Sequence, residues 1–211
     1  MLIVIIGPDG CGKTTIAEGV ITSFGSSFNT KEHIATNFGV LPTFGDIKTV
    51  LKKIVGKHHV NPYAHEDGEY LAGMKHKPNS TFKSLILSLW YGFDYILGHF
   101  KVKHAKNNNG LIIFARYFYD FYYQRVHTNL PHFFCKMIEL FIPQPDIIIF
   151  LRREPDSIYK IKPELTKDEI ERQNNAILLH FQDYKNFYVI DAEFGYESTL
   201  KKINELLQNE Y

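Results

Sequence analysis

Four short runs of this 211-residue chain are apolar throughout: Leu2–Ile6, Leu111–Phe114, Ile147–Leu151 and Phe187–Ile190. Continuous rather than alternating hydrophobicity marks parallel strands covered on both faces. His33–Thr36 is a weaker fifth candidate. Between these runs the apolar positions take helical spacing. Ile16, Ala17, Val20, Ile21 and Phe24 share one side of a helix that Gly25 closes. Pro131 opens a segment whose Phe134, Met137, Ile138 and Phe141 share a face, and Pro143 stops it. Thr166 and Glu169 form a capping-box pattern before a helix that turns Ile170, Ile177, Leu178 and Phe181 inward. Ser198 is placed to cap the last helix, with Leu200, Ile203, Leu206 and Leu207 on one side. Strands alternating with helices predict an α/β fold: a doubly wound, five-stranded parallel sheet with helices on both faces. No repeat or linker divides the chain, so residues 1–211 read as one domain.

Aromatic residues make up 15% of the chain, with 17 Phe and 13 Tyr, which fits a bulky core or a surface on which bases stack. A net charge of +1 gives no electrostatic case for a nucleic-acid polymer or a membrane surface as partner. The opening apolar run is too short for a signal segment and lacks a basic stretch before it. The longer apolar stretch Ser84–Phe100 contains Asp94, His99 and two glycines, and reads as a core helix rather than a membrane span. Its aromatics also offer a homodimer face, over Phe82–Phe100. Cys11 and Cys135 make no disulfide framework, and a cytoplasmic location fits them. Residues 38–80, rich in Gly, Pro, His and Lys, read as loops with a short helix. Their His58, His59, His65 and His76 match no metal-ligand spacing.

The chemistry is concentrated at Gly7-Pro8-Asp9-Gly10-Cys11-Gly12-Lys13-Thr14, which matches G-x-x-x-x-G-K-[ST] between a strand and an amphipathic helix. The glycines let successive backbone N–H groups turn toward phosphate oxygens, and the helix aims its positive end at the same point. Asp9, Gly10, Cys11, Gly12, Lys13, Thr14 and Thr15 are therefore the expected nucleotide-binding residues. Lys13 is expected on the β- and γ-phosphates of ATP, and Thr14 as the protein ligand of Mg²⁺. No Asn-Lys-x-Asp guanine-reading element is present, which argues against a GTPase.

The loop Gly-Pro-Asp-Gly-x-Gly-Lys-Thr-Thr resembles that of thymidylate kinase and its relatives. Two further blocks keep that family's order: Gly110–Asp120, with Ala115-Arg116-Tyr117 where the family has Asp-Arg-Tyr, and Pro143–Pro155 followed by Tyr159–Thr166. The resemblance implies a P-loop NTPase fold with a lid at about residues 152–166. It implies that Asp9 lies beside the acceptor and that Arg116 binds the acceptor phosphate and the transferring group. Lys160 takes the place of a lid arginine, with Lys162 and Arg172 as further basic candidates. Phosphoryl transfer needs positive charge around the equatorial oxygens more than covalent help, so such cations suit the reaction.

Two departures cut the other way. Ala115 stands where the family has an acid, and Arg152 where an acid is often found at the end of the fourth strand. Two readings follow: an ATP-dependent kinase acting on a nucleoside monophosphate or related small acceptor, or an ATP-binding pseudokinase that regulates or scaffolds a partner. The intact loop and basic lid favour the first, and Ala115 with Arg152 the second. The acceptor lining is expected from residues 38–80 and from the helix around Trp90, Tyr91, Asp94 and Tyr95.

Overall fold

The computed structural model describes residues 1–35, 37–42, 80–124 and 130–210. Five strands, β1 (Leu2–Ile6), β2 (Thr30–Ile34), β3 (Gly110–Phe114), β4 (Ile147–Arg152) and β5 (Phe187–Asp191), form one parallel sheet in the order β2-β3-β1-β4-β5. The helices are α1 (Lys13–Ser23), α2 (Thr81–Asn107), α3 (Asp120–Tyr123), α4 (His132–Glu139), α5 (Pro155–Ile161), α6 (Lys167–Phe181) and α7 (Tyr196–Glu210).

All five residues of β1 are fully buried, because successive side chains enter opposite cores. Leu2, Val4 and Ile6 join Ile112, Phe114, Ile148 and Phe150 against Tyr95 of α2, the aromatics around α3, and Ile177 and Phe181 of α6. Ile3 and Ile5 join Ile113, Ala115, Ile149 and Leu151 against α1, Ile158 of α5, and Ile203 and Leu207 of α7. Burial of this kind contributes roughly 1.5–3 kcal/mol per large apolar side chain.

The structure shifts several sequence expectations. The second strand lies at Thr30–Ile34, earlier than the apolar run suggested. Its register is set by pairing with Gly110–Phe114, and as an edge strand it keeps polar residues on its open side. In α4 the inward residues are Cys135 and Ile138, followed by Ile142, while Met137 and Phe141 of the expected face are exposed. The last helix begins at Tyr196, two residues before Ser198. Gly195, in the left-handed region at φ 86°, makes the turn that starts it. Thr166 caps α6 as its pattern requires, accepting from the Glu169 N–H at 3.3 Å. No described helix is long and apolar enough to cross a membrane. Within residues 38–80, all but 38–42 and 80 lie outside the described residues, including the four histidines.

The long helix α2 is amphipathic in the reverse of the expected sense. Its buried face carries Ser84, Ser88, Gly92, Asp94, Tyr95, Gly98, Val102 and Ala105. Phe82, Ile86, Leu89, Phe93 and Phe100 are exposed. An apolar count over Ser84–Phe100 predicts burial without saying which side is buried, and here the small residues are inside.

On the far side of the sheet from the phosphate loop, His180 stacks on Tyr122 with ring centroids 3.7 Å apart. Its Nε2 lies 3.9 Å from Glu139, whose oxygens already accept from the hydroxyls of Tyr122 at 2.5 Å and Tyr184 at 2.7 Å. Burial, reinforced by the positive charge of His132 and Lys136, pushes the His180 imidazole down to about 4. The unfolded chain therefore takes up this proton first, and stability declines as pH falls from about 6.5 toward 4. His180→Phe keeps the stack and removes the titration. Thermal melts at pH 7.5, 6 and 4.5 should show a shallower acid decline in this variant than in the parent; equal slopes would exclude His180 as the source.

Candidate active site

Gly7–Gly12 bridges β1 and α1 at the carboxyl end of the sheet. Gly10 (φ 94°) and Gly12 (φ 101°) hold left-handed backbone that side chains rarely adopt. At Gly10 space is limiting too: a Cβ would lie 3.1 Å from Ile158 and from Lys162, which brings α5 and the turn after it against the loop. At Gly12 nothing lies within 4 Å, so the backbone angle alone selects glycine.

Lys13 opens α1 and folds back into the loop. Its ammonium donates to the carbonyls of Gly7 at 2.8 Å and Pro8 at 2.9 Å, and to Asp9 Oδ1 at 3.3 Å. The same Asp9 oxygen accepts from Arg116 Nη2 at 2.6 Å. Burial alone would raise the Asp9 carboxyl, but the charges of Lys13 and Arg116 hold it below its ordinary value. The Arg116 guanidinium gains more from Asp9 than burial takes away, so it stays charged. Asp120, on the first turn after β3, lies 3.5 Å from Arg116 Nη1. Thr14 and Thr15 are exposed on the first turn of α1. Cys11 is buried and its thiol is pushed up by that burial, against the pull of Lys13.

Next to the loop is a cavity of about 200 Å³ bordered by Cys11, Gly12, Thr15, Arg153, Tyr196 and Thr199, among others. Three separate stretches of chain meet there: the phosphate loop, the end of β4 and the β5–α7 turn. Sequence reasoning named only the first. Arg153 is one residue beyond Arg152, which the sequence marks only as standing in place of an acid, and no motif points to Arg153 itself. Asn174 of α6 donates to the Arg153 carbonyl at 3.2 Å. Glu193 accepts from the Glu154 N–H at 2.7 Å and from Ser157 at 2.8 Å, fastening the start of α5 to the β5–α7 turn.

The other expected residues are placed as follows. Ala115 is buried on the α1 side of β3, in one apolar cluster with Cys11 and Ile16. Arg152 is exposed at the end of β4. Lys160 is exposed on α5, where its charge acts on Asp156. Lys162 pairs with Glu164 at 2.9 Å. Arg172 binds Glu169 and donates to the Tyr123 carbonyl at 2.6 Å. Asp94 is fully buried and accepts from the Leu41 N–H at 2.7 Å and from Asn37 and Gly39, each at 3.3 Å. Trp90 donates to the Pro42 carbonyl at 3.1 Å, and Tyr95 lies in the core. The acceptor candidates on α2 thus include two that organise the chain after β2.

No protein-family model matches the chain, and neither does any curated protein. Among solved structures it is similar to the deoxyadenosine kinase of M. mycoides, described with the product dCMP and a flexible dCDP bound. The two share 18% identity with a TM-score of 0.55, over 99% of this chain and 100% of that one. Likeness at this level establishes the fold, which is that of a P-loop kinase: a five-stranded parallel sheet wrapped by helices.

Lys13 makes two charge-assisted bonds to carbonyls that line the phosphate hollow, bonds that phosphate oxygens can replace. Each charged hydrogen bond is worth roughly 1.5–3 kcal/mol. Lys13→Ala should therefore weaken ATP binding by about 100-fold or more, read by calorimetry, with the circular dichroism spectrum unchanged. Parent-like affinity in a folded variant would remove Lys13 from the site.

Proposed function

We propose that this chain is an ATP-dependent kinase that transfers a phosphoryl group to a nucleoside monophosphate or a related small acceptor. The observation carrying this reading is the convergence of Lys13 and Arg116 on one oxygen of Asp9, inside a glycine-bent loop. Two cations held together by a carboxylate at a helix N-terminus form a ready site for a polyphosphate. The cavity at Cys11, Thr15, Arg153 and Tyr196 suits the donor base and sugar, with an aromatic ring and a guanidinium at its border. The similar deoxyadenosine kinase widens the acceptors to be tried to include deoxynucleosides.

Mg²⁺ fits the donor set. Among the described residues no group of three His, Cys, Asp or Glu side chains could hold a metal unaided. Mg²⁺ keeps several waters and takes substrate phosphates as ligands, so an exposed Thr14 hydroxyl is sufficient protein contact. Bound there, the ion would neutralise phosphate charge. Lys13 would bind the β- and γ-phosphates and Arg116 the transferring group, while Gly10, Cys11 and Gly12 would present backbone N–H groups. Lys160 and Lys162 would add positive charge from a lid at about residues 152–166.

The second reading, an ATP-binding pseudokinase, draws on Ala115: a methyl group lies buried where the family's acid would project. A coupled ADP-release assay across nucleoside and nucleoside-monophosphate acceptors, run beside an ATP titration, separates the two. Turnover on at least one acceptor is the expected result; ATP binding with none on the whole panel favours the pseudokinase.

The partner is proposed to be a second copy of the chain, seated on α2 and α4. Phe82, Ile86, Leu89, Phe93, half-buried Ile96 and Phe100 recur at steps of four and three, the spacing of a helix–helix seam. Phe133, Met137, Leu140 and Phe141 extend the exposed apolar face onto α4 and just beyond it. Taking about 200 Å² for a whole phenylalanine and weighting each by its fractional exposure, the five phenylalanines alone present roughly 650 Å². With the aliphatic residues this matches the ~800 Å² that each partner gives to a stable interface. Sedimentation at tens of micromolar should find a dimer for the parent and a monomer for Leu89→Lys/Phe93→Glu with unchanged helix content. A monomeric parent would mean that this face is covered in another way.

A further inference from the structure

The first turn after β3 holds a buried acid, Asp120. Asp120 opens the four-residue α3, yet its carboxylate is engaged by side chains: Oδ1 accepts from the Tyr123 hydroxyl, and Oδ2 from Gln124 Nε2 at 3.0 Å. Its side chain is 12% exposed, and Oδ2 also lies 3.5 Å from Arg116 Nη1. Arg116 therefore stands between two carboxylates, one on each terminal nitrogen.

The two are held differently. Asp9 belongs to the phosphate loop, and its Oδ1 is shared between Arg116 Nη2 and Lys13 Nζ, two cations that a phosphate would also attract. A polyphosphate entering the loop carries more negative charge than Asp9 and competes with it directly. Asp120 faces the other guanidinium nitrogen and is clamped by Tyr123 at the end of its own short helix and by Gln124 just after it. Burial raises its carboxyl, opposed by Lys13, the Tyr123 hydroxyl and Arg116, so these partners are what favour its charged form.

We propose that Asp120 is a positioning residue for Arg116: it anchors the guanidinium through Nη1 and leaves Nη2 free to pass from Asp9 to a phosphate. The inference rests on the kinase reading only in requiring that the loop bind a polyphosphate. It also gives the site an orienting acid despite Ala115, from five residues further along the chain.

An arginine held at both terminal nitrogens rotates slowly, and its Nη–H signals are resolved in ¹⁵N spectra; one held at a single nitrogen averages them. With arginine labelled and the signal assigned through Arg116→Lys, the parent saturated with Mg-ATP should show resolved Arg116 signals. Asp120→Asn should average them while ATP affinity stays within about threefold of the parent. Asp120→Glu should restore them, and Asp9→Asn should leave the ATP-bound pattern as in the parent. Tyr123→Phe, which loosens the carboxylate without removing it, should broaden the signals and serves where Asp120→Asn does not fold. On an acceptor that turns over, Asp120→Asn should lower kcat by about 10–100-fold, the scale of a misplaced positioning group, with the KM for ATP little changed. Resolved signals in ATP-bound Asp120→Asn, or their equal loss in Asp9→Asn, would overturn the proposal alone. A parent that does not bind ATP would overturn the phosphate-loop reading and this inference with it.

Discussion

Lys13 and Arg116 would repel each other across the mouth of the phosphate loop if nothing stood between them. Asp9 prevents this by offering both cations the same oxygen, and the electrostatic signature is consistent on each side. The carboxyl is held low despite its burial, and the guanidinium is held charged despite its own. The interaction joins residues 107 positions apart, so it ties the loop after β1 to the segment that follows β3. The two cations are thereby held side by side at the loop, where an anion that displaces Asp9 would meet both.

That interaction depends on sheet order. With β1 in the centre, flanked by β3 and β4, its carboxyl end delivers the loop between two other strand ends. One brings Arg116 toward Asp9 and the other brings Arg153 toward Cys11 and Thr15. This is the crevice outside the carboxyl ends of the strands where open α/β sheets bind ligands. The register leaves little freedom. Val4 pairs with Phe114 on one side and Ile148 on the other, so a slip in either ladder would separate the loop from its partner cation.

The parts of this architecture that were legible from sequence were those set by local chemistry. Continuous apolar runs marked four strands, and the glycine pattern marked the loop with its two left-handed positions. Thr166 announced its cap because a side-chain acceptor three residues ahead of Glu169 has one obvious donor. The edge strand β2 was misplaced because its residues are mostly polar and give no apolar run, and pairing with β3 decides its position. Of the expected α4 face, Ile138 is buried, packing where Gly92 leaves room, and Phe134 is partly buried, whereas Met137 and Phe141 are exposed and Cys135 takes the inward position that the pattern did not mark. Arg153 and Tyr196 were not recognised because no spacing links them: only the folded sheet brings the end of β4 to the turn after β5.

Ala115 changes meaning once its surroundings are known. As a letter in a motif it is a lost acid, and a lost acid argues against catalysis. In the folded chain the methyl group packs with Cys11 and Ile16 beneath the loop, where a carboxylate lacking a cation or donor would be costly to bury. The functional charges beside it are nonetheless balanced, with Asp9 and Asp120 against Lys13 and Arg116. Asp120 meets the guanidinium at Nη1, on the nitrogen opposite the one that Asp9 engages, so an acid from the helix turn is available to Arg116 although the strand end carries none. On the family's pattern, what Ala115 lacks is a carboxylate at the end of β3. On the proposed kinase reading, such a site would rely on Thr14, solvent and the phosphates themselves to hold Mg²⁺, and on Lys13 and Arg116 to stabilise charge in the transition state.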